Sequence, residues 1–116
     1  MKPFLRVMKA LSDPNRVRIL KLLENTALCV CEIQEVLGIA QPTVSSHMKI
    51  LEDAGLVTKD RQGTWMIYSQ ADGKESVYAG AMLTALKDWL NEDADLQRMI
   101  ETLPETACRR VVTLKN

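Results

Sequence analysis

The chain has 116 residues, of which 47% are hydrophobic, and its 15 basic residues balance its 15 acidic residues. This length suits one domain with a single modest core. No apolar run approaches the roughly 18 residues of a membrane span and the charged N-terminus lacks a signal-peptide pattern, so we expect a cytoplasmic protein with no membrane partner. Three cysteines cannot form a closed disulfide set, and a reducing compartment would keep Cys29, Cys31 and Cys108 as thiols.

The balanced charge argues against a strongly basic nucleic-acid binder, yet basic residues concentrate near the N-terminus. Within residues 1–21, Asp13 is the only acidic residue, and the basic residues are Lys2, Arg6, Lys9, Arg16, Arg18 and Lys21. We expect Arg16, Arg18 and Lys21 to point largely outward from a helix. Because many soluble proteins carry such a patch, it is weak evidence for DNA binding by itself.

Apolar residues at helical spacing predict two helices in the first part of the chain. The first is expected over residues 3–11, with an apolar stripe made of Phe4, Leu5, Met8 and Leu11. The second is expected over residues 14–24. Asp13 can cap its free backbone N–H groups, and Pro14 fits the first helical turn, where its missing donor costs nothing.

Two further helices, over residues 30–37 and 41–54, are separated by a short turn that begins at Gly38. At ~100° per residue, three apolar side chains of the later helix form one stripe that must face the core, namely Val44, Met48 and Leu51. The opposite face carries small polar groups, which suit a major groove about 12 Å wide. The pattern is typical of a helix-turn-helix, in which the second helix reads bases.

The predicted DNA contacts on this helix are Gln41, Thr43, Ser45, Ser46, His47 and Lys49. An ordinary pair of core helices with solvated hydroxyl groups would show the same pattern. His47 lies at the edge of the core stripe, so a packing role is an alternative to a DNA-side role. Which of these residues would reach bases rather than phosphates is not readable from the sequence.

From residue 56 the apolar period changes to two, and the alternating runs LVTKDR and TWMIYS flank Gln62-Gly63. This pattern predicts a β-hairpin. Its tip carries groups suited to phosphate or minor-groove contact, of which Arg61 and Thr64 are the predicted DNA contacts. A solvated turn is the alternative. A hairpin directly after the helix-turn-helix makes the expected fold a mainly α winged helix-turn-helix with a small β-hairpin.

Helical spacing returns over residues 76–90 and 93–103, until Pro104 ends regular structure. Together with the first helix, this C-terminal stripe has more apolar surface than one protomer needs. We therefore expect a homodimer that presents two reading heads to a palindromic, double-stranded operator, with packing within one chain as the alternative. The domain is expected to cover residues 1–103, with a flexible tail over residues 104–116.

The segments ALSDPNRVRILKLL, ALCVCEIQEVL, QPTVSSHMKILEDAGLV and RQGTWMIYS resemble the ArsR/SmtB family of dimeric winged-helix repressors over about residues 4–90. The LCVCEI segment is similar to the arsenite-site motif of the arsenical-resistance branch. This resemblance implies a homodimer that binds its operator when metal-free and leaves it when a thiophilic ion binds. The familiar motif has a third cysteine three residues after the second, where this chain has Gln34.

The chemistry of Cys29 and Cys31 can be argued without the resemblance. Soft thiolates select arsenite, antimonite, Cd(II), Pb(II) or Zn(II). Binding needs the thiolate, and we expect the helix N-terminus to lower the cysteine pKa. Residues two apart lie ~200° apart on a helix, so both sulfurs can hold one ion only if the first turn unwinds or stays extended. We hypothesise that binding distorts this helix and moves residues 43–49 out of register with the groove.

Several alternatives stay open for the thiols. Cys108 is either a third ligand from the same or the partner subunit, or a thiol in the tail without a binding role. The pair could be a buried structural feature, a Cd, Pb or Zn site, or a redox sensor. A thiol redox enzyme is a distant alternative, because the sequence has no βαβ pattern, no phosphate-binding glycine loop and no general base beside the pair.

Overall fold

A computed structural model describes residues 1–103, which form six helical segments and three strands. In chain order these are α1 (Lys2–Ala10), α2 (Pro14–Leu22), β1 (Leu28–Cys29), α3 (Val30–Leu37), α4 (Gln41–Asp53), β2 (Val57–Gln62), β3 (Trp65–Gln70), α5 (Val77–Leu86) and α6 (residues 94–103). The predicted tail and Cys108 lie outside the described residues. In the part of the chain that is described, no helix is long and apolar enough to cross a membrane.

The helix boundaries follow from local capping chemistry. The Asp13 carboxylate accepts hydrogen bonds from the backbone N–H groups of Asn15 at 2.8 Å and Arg16 at 3.1 Å. α3 ends at Gly38, whose φ of 69° is in the left-handed region that glycine adopts without steric cost. Both caps were predicted. A further cap starts α5, where the Ser76 hydroxyl accepts from the N–H of Ala79 at 3.1 Å.

The core lies where α2, α3, α4 and α5 meet the inner side of the hairpin. The predicted stripe of α4 is confirmed, since Val44, Met48 and Leu51 are all 0% exposed. The first predicted helix is confirmed as α1. Of its predicted apolar stripe, Met8 and Leu11 pack against the core, whereas Phe4 and Leu5 remain 39% and 42% exposed. The helix also buries Val7 and Ala10.

The sheet has one strand more than predicted, in the order β1–β3–β2, and all its pairs are antiparallel. The hairpin is confirmed, but its turn lies one residue later than expected. Gln62 pairs with Trp65, so Gly63 and Thr64 form the turn, and Gly63 has a φ of 61°. The additional strand, β1, pairs Leu28 with Tyr68 and Cys29 with Ile67. The first cysteine is thereby part of the sheet that carries the wing.

α5 ends at Leu86, earlier than predicted, and the chain turns before α6 begins. Hydrogen bonds from Lys21 stabilise the turn that follows α5. Lys21 was expected to point outward but is buried, and its Nζ donates to the Leu86 carbonyl at 2.6 Å and to Asn91 Oδ1 at 2.9 Å. The same ammonium pairs with the Glu24 carboxylate at 2.8 Å. A buried charge is tolerated here because it has an ion-pair partner and donates two hydrogen bonds.

Candidate DNA-reading surface and thiol site

The outer face of α4 is polar, small and exposed. Of the predicted contacts on this helix, five are exposed, namely Gln41, Thr43, Ser45, Ser46 and Lys49. The only charged side chain among them is Lys49, whose Nζ lies 3.3 Å from Asp53 Oδ1 on the next turn. This pair is solvated on both sides, so it constrains Lys49 weakly. The face can approach a nucleic-acid groove without a bulky obstacle.

His47 is set apart from these five residues. Its side chain is only 12% exposed, and its ring lies between α4 and the start of α2. The Nδ1 atom is 3.2 Å from Arg16 Nη1, and the Nε2 atom is 4.0 Å from Asp13 Oδ1. The packing role considered for His47 therefore agrees with its position better than a direct DNA contact does.

The wing follows α4 directly. Arg61 and Thr64 are exposed near its tip, on the paired part of β2 and in the turn respectively. Lys59 lies closer to the base of the wing, where its Nζ is 3.5 Å from Glu52 Oε1 at the end of α4. This ion pair joins the wing to α4. Arg61 is therefore the cation of the wing for which no ion pair occurs in residues 1–103.

The two thiols occupy different environments at the junction of β1 and α3. Cys29 is the residue before the helix, has an extended backbone with φ −88° and ψ 165°, and is 3% exposed. Cys31 lies in the first helical turn and is half-buried. The buried carboxylate of Glu32 accepts a hydrogen bond from the Cys29 backbone N–H at 2.9 Å. This contact completes a capping box around the cysteine.

The expectation of a lowered cysteine pKa was wrong for Cys29. Burial raises its pKa above the ordinary value of 9.0, because the thiolate loses hydration. The backbone N–H of Glu32 acts in the opposite direction, as expected at a helix N-terminus. The Glu32 carboxylate and the neighbouring Cys31 then raise the pKa again. The lowering of the Cys29 pKa at the helix N-terminus is therefore smaller than the raising caused by burial and by the nearby Glu32 carboxylate.

The third ligand position is not filled by a sulfur within residues 1–103. Gln34 lines an open groove of about 480 Å³ together with Cys31, Glu35, Gly38 and Ile39. Among the described residues, no group of three or more His, Cys, Asp or Glu side chains could hold a metal ion. Two thiols at a strand–helix junction can bind a soft ion, but a three-coordinate site needs a donor from outside this region.

Three features of the site were missed at the sequence level. The buried Glu32 had a usable signal, because it stands three residues after Cys29, the residue that precedes the helix, as in a capping box. Strand β1 is two residues long and offers no periodicity. The contact between Arg16 and His47 joins two helices, and no local pattern marks it.

The arrangement of α3, α4 and the β2–β3 wing defines a winged helix-turn-helix DNA-binding protein. Comparison with solved structures agrees. The homodimeric winged helix-turn-helix DNA-binding domain of a possible ArsR-family transcriptional regulator from Mycobacterium bovis matches with a TM-score of 0.63 and 28% identity, covering 74% of this chain and 76% of that chain. The predicted fold class is confirmed.

Sequence comparison then shows the family. Residues 13–59 match the model of bacterial regulatory proteins of the arsR family. The chain is 46% identical over 69 residues to an uncharacterized HTH-type transcriptional regulator of Methanocaldococcus jannaschii, covering 59% of this chain and 78% of that protein. It is 37% identical over 73 residues to the arsenical resistance operon repressor of Bacillus subtilis, covering 62% of this chain and 70% of that protein.

The chain belongs to the ArsR family of transcriptional repressors. The family resemblance drawn from the sequence is thereby confirmed. The family and the structural neighbours are DNA-binding regulators, so the protein is a regulator and not the thiol redox enzyme considered as a distant alternative.

Proposed function

We propose that the protein is a homodimeric repressor that binds a palindromic operator through α4 and the wing, and that leaves the operator when arsenite or antimonite binds Cys29 and Cys31. The observation that carries the proposal is the position of Cys29. It is at once the last residue of β1 in the wing sheet and the residue that caps the helix packed on α4.

The reading surface consists of the exposed residues of α4 with Arg61 and Thr64 of the wing. Small hydroxyl side chains near the start of α4 allow the backbone to approach the groove and can bond to base edges or phosphates. Arg61 supplies a positive charge for the phosphate backbone. With a net charge of zero, the protein depends on the placement of few cations, and we expect only a moderate salt dependence of binding.

The dimer would form through the outer sides of α1 and α5. Phe4 and Leu5 are exposed on α1, and Val77 and Tyr78 are exposed at the start of α5. The rings of Phe4 and Tyr78 meet edge to face with centroids 5.5 Å apart, so the two helices present one apolar surface. A twofold axis through this surface would bury it and place two α4 helices side by side. The Mycobacterium bovis neighbour is homodimeric, which supports this assembly.

The proposed inducer is a soft species held by the two sulfurs, and the arsenical resistance operon repressor of Bacillus subtilis supports arsenite among the candidates. Arsenite enters as As(OH)₃. Each As–S bond forms as a thiol proton joins a departing hydroxide, which releases one water. Binding therefore needs no net loss of protons, and it tolerates the raised pKa of Cys29. Cys108 is the candidate third sulfur.

Binding would disturb the junction around Cys29. Its sulfur is buried and its N–H is held by Glu32, so an ion that bridges to Cys31 must pull Cys29 from the core or unwind the first turn of α3. Two neighbouring elements, α4 and β3, would move as a result. α3 packs on α4, and β1 pairs with β3 of the wing at Ile67. Both parts of the reading surface would shift together.

The test is a titration panel on a duplex selected from a random-sequence pool with the wild-type protein. Operator release is followed by fluorescence anisotropy with arsenite, antimonite, Cd(II), Pb(II), Zn(II) and peroxide. We expect release by arsenite and antimonite, its loss in Cys29→Ser and Cys31→Ser, and weakened release in Cys108→Ser if this sulfur is a ligand. Release only by Cd(II), Pb(II) or Zn(II), or only by peroxide, would replace arsenite with the corresponding signal. A protein that stays bound under every condition would contradict thiol-based induction.

A further inference from the structure

Arg16 makes contacts that its place on α2 does not predict. Its guanidinium is half-buried and turns toward the end of α1. Nε donates to the carbonyl of Ala10 at 2.8 Å, and Nη2 donates to the carbonyl of Lys9 at 3.1 Å. The third nitrogen, Nη1, is 3.2 Å from His47 Nδ1 on the recognition helix. One side chain thus joins α1, α2 and α4.

The chemistry of this contact favours one tautomer of the imidazole. A guanidinium has five N–H donors and no acceptor, so a hydrogen bond here needs His47 Nδ1 as the acceptor. That role belongs to the tautomer that carries its ring proton on Nε2. That nitrogen faces the carboxylate of Asp13, with Oδ1 at 4.0 Å. Asp13 is itself held in place because it caps α2 through the N–H groups of Asn15 and Arg16.

The fixed ring lies at a position where it can set the rotation of α4. His47 stands between the buried Met48 and the exposed Ser46, at the border of the core and the reading face. Arg16 donates to two carbonyls in the last turn of α1, of which the Lys9 carbonyl also accepts from the Ser12 N–H at 3.1 Å. The guanidinium is therefore bonded both to the C-terminal end of α1 and to His47 on α4.

We infer that Arg16 is a positioning residue for DNA recognition, which acts through His47 to fix the orientation of α4 on the protein. The inference rests on the proposed reading role of α4. It assigns the arginine no contact with DNA. Loss of the contact would let α4 turn within its packing, and directional bonds to base edges would weaken, whereas attraction between the protein and phosphates would persist.

The test compares Arg16→Lys with Arg18→Lys. Both changes keep the charge, but within residues 1–103 the Arg18 guanidinium bonds only to Asn15 on its own helix, through Nη1 at 3.0 Å. The probes are a duplex selected from a random pool with wild-type protein and a scrambled duplex of equal composition. We expect Arg16→Lys to lose about tenfold in affinity for the selected duplex and little for the scrambled one, while Arg18→Lys binds as wild type. Equal loss on both duplexes, or none on either, overturns the inference.

A second readout distinguishes positioning from general damage to the fold. His47 is the only histidine, so its ring signals in a long-range ¹H–¹⁵N spectrum need no assignment. We expect the Nε2–H form in wild type and in Arg18→Lys, and a mixture of tautomers in Arg16→Lys. An unchanged ring spectrum in Arg16→Lys overturns the inference even when DNA binding falls.

A double-mutant cycle covers the case in which one variant is unstable. If Arg16 acts through His47, the variant that combines Arg16→Lys and His47→Leu loses no more affinity for the selected duplex than either single variant. Additive losses would show that Arg16 acts by another route. Wild-type protein that binds both duplexes equally would instead refute the proposed DNA reading, and the inference with it. Sequence discrimination that survives in Arg16→Lys refutes the inference alone.

Discussion

Cys29 and Cys31 are separated by one residue, yet the first belongs to a strand and the second to a helix. Burial and the Glu32 carboxylate raise the pKa of Cys29, so its thiol stays protonated at neutral pH. Because the pKa of Cys29 is higher in the folded state than in the unfolded state, the neutral thiol stabilises the fold. This stabilisation is fully present below pH 9.0 and is lost as the pH rises through the folded-state pKa.

This difference predicts unequal alkylation. In a Cys108→Ser background near neutral pH, Cys31 should react with iodoacetamide well before Cys29, because it is more exposed. The rate at Cys29 should rise only as the pH passes 9.0. Mass spectrometry of the labelled peptides measures both rates, with Cys29→Ser and Cys31→Ser as controls. Faster labelling of Cys29 at neutral pH would contradict its described environment.

A substitution at Gln34 tests whether the site lacks a third sulfur ligand. It lies one helical turn after Cys31 and lines the same groove, so a cysteine at this position would stand next to Cys31 on the helix surface. We expect Gln34→Cys to lower the arsenite concentration for half-release of DNA by roughly a hundredfold, as a third tethered ligand should. Gln34→Ser is the matched control and should behave as wild type. A similar response from both variants would argue that a third sulfur already completes the site.

At the scale of elements, local signals predicted much of the fold. The stripe of α4 and the caps at Asp13 and Gly38 could be read from the sequence because each depends on residues close along the chain. β1 could not be predicted, since two residues carry no period and their partners lie far along the chain in β3. Arg16 was placed outward because its partner on α4 is a tertiary neighbour.

The turn between α3 and α4 gives a prediction for stability. A Cβ at Gly38 would meet nothing within 4 Å, so a substitution there costs conformational energy alone. With φ at 69°, we expect Gly38→Ala to lower the free energy of unfolding by about 1 kcal/mol, and Gly38→Asn by less. Urea unfolding followed by circular dichroism measures both. An alanine variant as stable as wild type would mean that the turn relaxes to negative φ.

For the whole molecule, the surface of α1 and α5 predicts the assembly. Tyr78→Asp places a charge in the proposed interface, while an acidic group in the first turn of α5 favours the helix itself. We expect the dimer dissociation constant to rise by roughly a hundredfold with no loss of helix content. Analytical ultracentrifugation measures this constant, and Asn25→Asp, in the loop after α2, is the charge-matched control. A Tyr78→Asp protein that stays dimeric would place the interface elsewhere.

The proposed mechanism couples the thiol site and the DNA-reading surface in one thermodynamic cycle. If arsenite and DNA compete through the Cys29 junction, each must weaken the binding of the other by the same factor. The deciding measurement is therefore the arsenite affinity of the protein with and without saturating selected duplex, set beside its DNA affinity with and without arsenite. We expect equal factors of at least about tenfold in wild type and no coupling in Cys29→Ser. Arsenite affinity that does not change when the protein is bound to DNA would contradict the proposed mechanism.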